Sequence, residues 1–445
     1  MKPPPTHAPL ADATSWFARV PDCMILSTDD CVTMTSPISA DDLERCEDAL
    51  RIASDHGTWD TALAAKIRSL VGEDLAAVVL VSLNLQSKAR AKLGEGIWWC
   101  TERSLSQATP APVAELKARW MNSSSVLDGC CGLGADTLAI AKNIGSAEAQ
   151  VTAVDSDSMM VAMATENLRM NLRPARSQVA VRQDDVAAVP IATDATVHLD
   201  PDRRDDSGRK VRPDDYSPSW DVVERILDRC AAGIVKLAPA AVIEDRPERH
   251  RLWISLGGSV REQTLLTRQA IDRAATGFGH PLIEASRTAV VVRPDGNAAT
   301  YTRDGGSQTG RRVEKPMQYL ADPDAAIRAA GLTESFAGHF GYDMIGGPSG
   351  FLTGDTAIES DLAICEPVIW SGACDDRKLR TTLRSMNGYP WRVKTRGVSQ
   401  NPNVLEKRYR QCGERPVTLW IGKGPRRQFA ALTERPNAPW PTGAG

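Results

Sequence analysis

The segment Ser125-Val126-Leu127-Asp128-Gly129-Cys130-Cys131-Gly132-Leu133-Gly134-Ala135-Asp136-Thr137 constrains this chain more than any other. Val126-Leu127-Asp128 reads as a buried strand ending in an acid, and residues 135–143 as the helix beyond the turn. Gly132 and Gly134 let the backbone bend tightly and approach a ligand, with the first amides of the helix facing it. The expected occupant of such a turn is a nucleotide-like cofactor. Cys130 stands where the usual G-x-G-x-G turn carries its first glycine.

Acids recur at the ends of the strands that follow. Val151-Thr152-Ala153-Val154-Asp155 is a second strand, and its terminal acid can accept both hydroxyls of a ribose. Residues 181–185 end a third strand at Asp185, suited to an adenine amino group. A fourth strand, residues 195–200, runs into Asp200-Pro201-Asp202-Arg203-Arg204, and residues 233–239 form a fifth. Carboxylates at successive strand ends put the site in the crevice beyond the carboxyl edge of an open sheet.

Around this core the chain divides into parts. Residues 1–38 are Pro- and Thr-rich and are expected to be loosely ordered; 39–106 carry apolar residues at helical spacing. Helix and strand patterns alternate from about residue 111 to 292, as in a mainly parallel sheet covered by helices. A Gly-, Asp- and Gln-containing stretch, 304–311, reads as a linker to a third, α+β module at 311–435. Only this last part is strongly charged. Residues 377–428 hold fourteen Lys or Arg against Glu406 and Glu414, a net +12 that leaves the rest of the chain at −15. Such a module calls for a polyanion partner.

Composition removes other classes. The longest apolar run, residues 75–81, is too short to span a bilayer, and the Met-Lys-Pro-Pro-Pro start lacks the apolar core of a signal peptide. We therefore expect a cytoplasmic protein without membrane partners. Ten cysteines include no C-x-x-C pair, so reduced thiols are expected, with no metal site and no disulfide framework.

With these residues in view, the chain resembles class I S-adenosylmethionine-dependent methyltransferases. Thr109-Pro110-Ala111-Pro112-Val113-Ala114 and the Cys-Gly-x-Gly turn are similar to the pre-motif and glycine loop of trimethylguanosine synthases. The whole chain resembles bacterial methyltransferases that end in a THUMP-like domain. Gln107-Ala108-Thr109, Asp200 to Arg204, Tyr216-Ser217-Pro218, Lys236-Leu237-Ala238-Pro239 and Arg396-Gly397 carry that likeness. It implies an α/β, Rossmann-like domain at 107–303 with a mainly parallel seven-stranded sheet, a helical N-terminal domain at 39–106 and a THUMP-like α+β domain at 311–435. It further implies S-adenosyl-L-methionine held by Thr109, Asp128, Gly129, Cys130, Gly132, Gly134, Asp155, Ser156 and Asp185. Asp200 and Pro201 are then the catalytic pair, and Arg203, Arg204 and Lys236 face the substrate.

The acceptor is read from the Asp200 loop. Amino-directed enzymes of this class carry D/N-P-P-aromatic, where the acid and a carbonyl accept hydrogen bonds from an exocyclic amine and the ring stacks on the base. Here Asp202 and Arg203 replace the second proline and the aromatic. A guanidinium can stack on a base or hold a phosphate. No cysteine lies in this loop, which argues against carbon-5 pyrimidine methylation. The leading expectation is a methyltransferase acting on a base nitrogen of structured RNA (tRNA or rRNA), bound by the basic module. Ribose 2′-O methylation with Asp200, Lys236 and Glu262 stays open. So do a small-molecule or protein acceptor and a cofactor-sensing RNA-binding protein without turnover. His198 is read as a buried core histidine, and Trp98-Trp99 as packing or as a clamp on a base. Trp391, Tyr409 and Trp420 lie among the basic residues, as a stacking surface would.

Overall fold

Local signals that start and stop helices organise the first part of the chain. The computed structural model describes residues 38–434 apart from 56–59, 145–147, 173–177, 203, 206–207, 210–211, 283–286, 304–308, 348–349 and 425–426. The expectation for residues 1–38 thus lies almost wholly outside the described residues, as does most of the linker. Ser39 opens α1 (Ala40–Arg45) with a capping box to Asp42. After α2 (Glu47–Asp55), Asp60 caps α3 (Thr61–Val71), and Gly72 separates it from α4 (Glu73–Leu93). Thr101 and Ser104 box the start of α5 (Glu102–Gln107), and α6 (Ala111–Ala118) begins at Pro110. Among the described residues no helix is long and apolar enough to cross a membrane.

The main sheet is built from β1 (Ser125–Gly129), β2 (Gln150–Asp155), β3 (Gln178–Gln183) and β4 (Thr196–Leu199). A short hairpin, β5 (Arg204–Asp205) with β6 (Gly208–Arg209), stands apart from it. The sheet continues with β7 (Ala232–Leu237), β8 (Arg249–Leu256), β9 (Ser259–Arg268), β10 (Arg287–Val292) and β11 (Ala298–Thr302). Its order is β11-β10-β8-β9-β7-β4-β1-β2-β3. The expected seven strands are therefore nine among the described residues, in a mixed sheet. β9 runs antiparallel to both β7 and β8, and β11 antiparallel to β10. The Pro294-Asp295-Gly296-Asn297 turn, with Gly296 at φ +80°, folds residues 298–302 back as the extra edge hairpin. Every residue of β4 and β7 is buried, His198 and Lys236 included, because both strands are central in the sheet.

Helices α7 (Ala135–Asn143), α8 (Ser158–Asn171), α9 (Trp220–Leu227) and α10 (Gln269–Phe278) alternate with these strands in the chain. One core gathers Val126 and Val151 of the sheet with Trp120, Ile140 and Ala274. The Trp98-Trp99 step, which connects the first helices to this domain, is fully buried. Asn167 of α8 pins it, accepting from the Trp99 amide at 2.7 Å and donating to its carbonyl at 3.0 Å. These tryptophans pack; they do not clamp a base.

Beyond β11 a second sheet forms from β12 (Arg312–Val313), β13 (Tyr319–Pro323), β14 (Asp343–Ile345), β15 (Phe351–Gly354), β16 (Ala363–Ala373), β17 (Gly388–Arg396), β18 (Arg415–Lys423) and β19 (Gln428–Glu434). Helices α11 (Ala325–Ala329), α12 (Thr333–His339), α13 (Asp376–Ser385) and α14 (Pro402–Tyr409) accompany it. Trp253, Val291 and Tyr301 of the main sheet share one apolar cluster with Ala326, Phe336 and Tyr342. Ser255 donates to Asp324 at 2.6 Å across the same boundary.

Candidate functional site

The turn after β1 is bent at three positions. Cys130, Gly132 and Gly134 have φ of +60°, +54° and +86°. Cys130 thus adopts the left-handed conformation that a glycine would take without strain, which accounts for its place in a glycine turn. Gly134 caps α7, and a Cβ there would lie 3.2 Å from that of Ala164 on α8. A Cβ on Gly132 would meet nothing within 4 Å, so the backbone presents open space there. The Gly132 amide donates to Asp155 at 2.9 Å, and the Asp157 amide donates to its other oxygen at 3.0 Å. Burial nevertheless raises the Asp155 pKa, and the two amides only partly offset it.

A cavity of about 540 Å³ lies against this turn. Thr109, Cys130, Gly132, Asp155, Ser156, Asp200, Pro201 and Lys236 all line it, drawn from five separate stretches of chain. The remaining expected residues stand elsewhere. Asp128 is buried under the turn, accepting from Thr137 at 2.5 Å and paired with His198 Nδ1 at 2.7 Å. A Cβ on Gly129 would lie 2.6 Å from Val186, so this glycine serves packing. Asp185 is exposed in the loop after β3, accepting from the Ala187 amide at 2.9 Å. Arg203 lies outside the described residues. Arg204 belongs to β5, and its side chain is likewise not described.

Asp200 follows β4 and is held from below. Lys236 Nζ lies 2.6 Å from Asp200 Oδ2 and also donates to Thr109 Oγ1 at 3.0 Å and to the Gln107 carbonyl at 3.1 Å. One buried ammonium thereby joins α5, the Thr109 segment and the Asp200 loop. Asp202 accepts from Arg103 at 3.2 Å and from Gln107 at 3.0 Å, and its backbone pairs with Ser217. Tyr216 accepts from the Ala238 amide at 3.2 Å. The Tyr-Ser-Pro element therefore braces the Asp200 loop.

Behind the cavity lies a second buried cation that sequence reading passed over. Lys117, fully buried on α6, forms ion pairs with Asp136 at 3.0 Å and Glu262 at 3.2 Å and donates to His198 Nε2 at 3.3 Å. Because an ammonium only donates, Nε2 accepts and His198 carries its proton on Nδ1, toward Asp128. His198 is the core histidine expected. Burial opposes charge on Lys117, but Asp136, Glu262 and Asp200 outweigh it and raise its pKa. Burial opposes ionisation of Asp136 too, yet the Lys117 and Lys236 ammonium groups hold its carboxyl far below the ordinary range. Thr109, which accepts from Lys236, also helps to lower the Asp136 pKa, so the two lysine clusters adjoin. A legible sign was Lys117 in the mostly apolar helix Ala111–Ala118, whose other charged residue, Glu115, is exposed. Burial, reinforced by Asp155 and Asp200, pushes the Cys130 thiol well up, so it is not poised as a nucleophile.

The basic stretch divides in two. Helices α13 and α14 are joined by Tyr409 donating to Asp376 at 2.8 Å, and they cover one core with Leu379, Leu383 and Leu405. Arg377, Lys378, Arg384, Lys407, Arg408 and Arg410 are exposed there. Lys394 and Arg396 instead turn to buried Asp322, together with Arg328. Tyr409 and Trp420 are core residues and Trp391 is half-buried, so the expected aromatic stacking surface is not formed.

Similarity to known proteins follows the same lines. A family model described as a methyltransferase domain matches residues 126–199. An uncharacterised S-adenosylmethionine-dependent methyltransferase of Mycobacterium tuberculosis (strain CDC 1551 / Oshkosh) is 30% identical over 373 residues, 79% of this chain and 95% of the relative. Its counterpart in strain H37Rv matches with the same figures. The crystal structure of a protein assigned as a methyltransferase, from Porphyromonas gingivalis W83, superposes with a TM-score of 0.66 at 17% identity. It covers 89% of this chain and 99% of that one, a likeness of fold.

Proposed function

Because the chain belongs to the S-adenosylmethionine-dependent methyltransferases, we propose that it methylates a base nitrogen of structured RNA (tRNA or rRNA). The observation that carries the site reading is Asp200, held by Lys236 in the cavity that the glycine turn also lines. S-adenosylmethionine brings a methyl group already activated on a sulfonium, so the protein has to align the acceptor and receive its hydrogen bonds. The residues fit that cofactor. Gly132 offers open backbone, Asp155 a carboxylate for ribose hydroxyls, and Thr109, Cys130 and Ser156 further wall. Asp128, Gly129 and Gly134 shape the turn from below, and Asp185 stands outside at the end of β3. Asp200 and the Pro201 carbonyl accept from the acceptor's N–H groups, with Lys236 fixing the carboxylate.

RNA is favoured by the exposed cations of α13 and α14, whose density suits a phosphate backbone. We read this module as THUMP-like and as the RNA-holding part of the molecule. A second reading, ribose 2′-O methylation, is favoured by Asp200, Lys236 and Glu262 lining one cavity. Incubation with tritiated cofactor and fractionated RNA, protein and small-molecule extracts tests the proposal. Label in RNA is expected, released as a base-modified nucleoside on digestion. Ribose-modified product would favour the second reading, and label confined to protein would sink both.

A further inference from the structure

Glu262 carries a hydrogen-bond acceptor that no described residue uses. It stands on β9 opposite Ile254, is fully buried, and lines the cavity with Asp200, Pro201 and Lys236. Its Oε1 is taken twice, by Lys117 at 3.2 Å and by the Thr264 hydroxyl at 2.8 Å. Its Oε2 has no hydrogen-bond partner among the described residues. A shielded carboxylate oxygen without a donor is a costly feature of a folded protein, and costly features of this kind concentrate where a ligand satisfies them. The carboxylate is held at its other oxygen by the Thr264 hydroxyl and the Lys117 ammonium, and Lys117 ties it to Asp136 and His198 behind the cavity.

Strand order says which ligand this is. Across the sheet the sequence β2-β1-β4-β7-β9 places Asp155 at one end of the cavity and Glu262 at the other, with Asp200 after the middle strand. The glycine turn follows β1, on the Asp155 side. We propose that Glu262 Oε2 accepts a hydrogen bond from an N–H or O–H group of the methyl acceptor, giving the acceptor a second anchor beyond Asp200. This rests on the reading of Asp200 as the residue facing the acceptor, and it does not depend on the acceptor being RNA.

The test compares Glu262→Gln with the wild type in the extract fraction that the wild type labels, using tritiated S-adenosylmethionine. Transfer is expected to fall about 10- to 100-fold, the range for losing a hydrogen bond to a charged group. The amount of fraction giving half-maximal rate should rise and the cofactor Kd by equilibrium dialysis should stay within about twofold, while the melting temperature falls because buried Lys117 loses one of its two carboxylate partners. Wild-type transfer would overturn the proposal. So would a cofactor Kd weakened as much as transfer, which would give Glu262 to the cofactor's ammonium instead. Should Glu262→Gln not fold, Glu262→Asp keeps the charge but withdraws the oxygen by one methylene. Its transfer should fall as well, and unchanged transfer would overturn the proposal. If the wild type labels protein rather than RNA, the RNA reading fails while the comparison at Glu262 still decides this one.

Discussion

At Asp128 the sequence is misleading for a physical reason. An acid closing the first strand looks aimed at a ligand, but its carboxylate is consumed by Thr137 and by His198, its register partner on β4. That partner is 70 residues away in the chain, and nothing local announces it. Asp155 and Asp200 were readable because each follows a strand directly into the cavity. The same logic makes Lys117 the most consequential buried residue outside the cavity. Lys117→Met should cost about 3–5 kcal/mol in urea unfolding at pH 7, since Asp136 and Glu262 would stay buried without their cation. Its pH signature follows from the directions of the shifts. The depressed Asp136 carboxyl contributes stability above its unfolded value near 4, lost as pH falls through the acid range. The raised Lys117 ammonium contributes below its unfolded value near 10.4, lost as pH climbs past the folded one. The variant should therefore show a flatter acid limb of stability than the wild type. Gly134→Ala should cost about 1–3 kcal/mol in the same assay, from its φ of +86° and its close approach to Ala164.

Elements with strong local signals were the easiest to read. Residues 126–128 fall within β1, and the expected helix coincides with α7. The edge hairpin β10–β11 went unread because residues 298–302, Ala-Ala-Thr-Tyr-Thr, carry little apolar alternation and gain their order by pairing with β10. Charge in the last module could be counted but not sorted, since sequence does not show that Lys394 and Arg396 turn inward to Asp322. The exposed set on α13 and α14 gives the next expectation. Replacing Arg377, Arg384 and Lys407 with Ala should weaken RNA retention in filter binding and leave cofactor affinity unchanged. The salt slope should shrink by about 0.7–0.9 for each phosphate that the variant no longer neutralises. An unaltered slope would remove this face from the binding surface.

On the scale of the whole molecule, the second sheet is joined to the first through a shared core. Trp253 and Tyr301 belong to the main sheet, and Phe336 and Tyr342 to the module beyond it, with Tyr301 and Phe336 rings 5.1 Å apart. Phe336→Ala should cost about 3–5 kcal/mol and shift one common unfolding transition seen by calorimetry and circular dichroism. Two separated transitions in the wild type would show that the sheets unfold independently. This coupling gives the basic module a fixed place beside the catalytic domain. The most direct measurement of whether Asp200 serves methyl transfer to RNA is transfer of tritiated methyl by the wild type and by Asp200→Asn, with cofactor binding measured on the same preparations. The expected result is labelled RNA from the wild type, cofactor affinity within about twofold in the variant, and transfer lower by about 100-fold or more. Transfer at the wild-type rate by Asp200→Asn, or wild-type label in protein or small molecules alone, would contradict it.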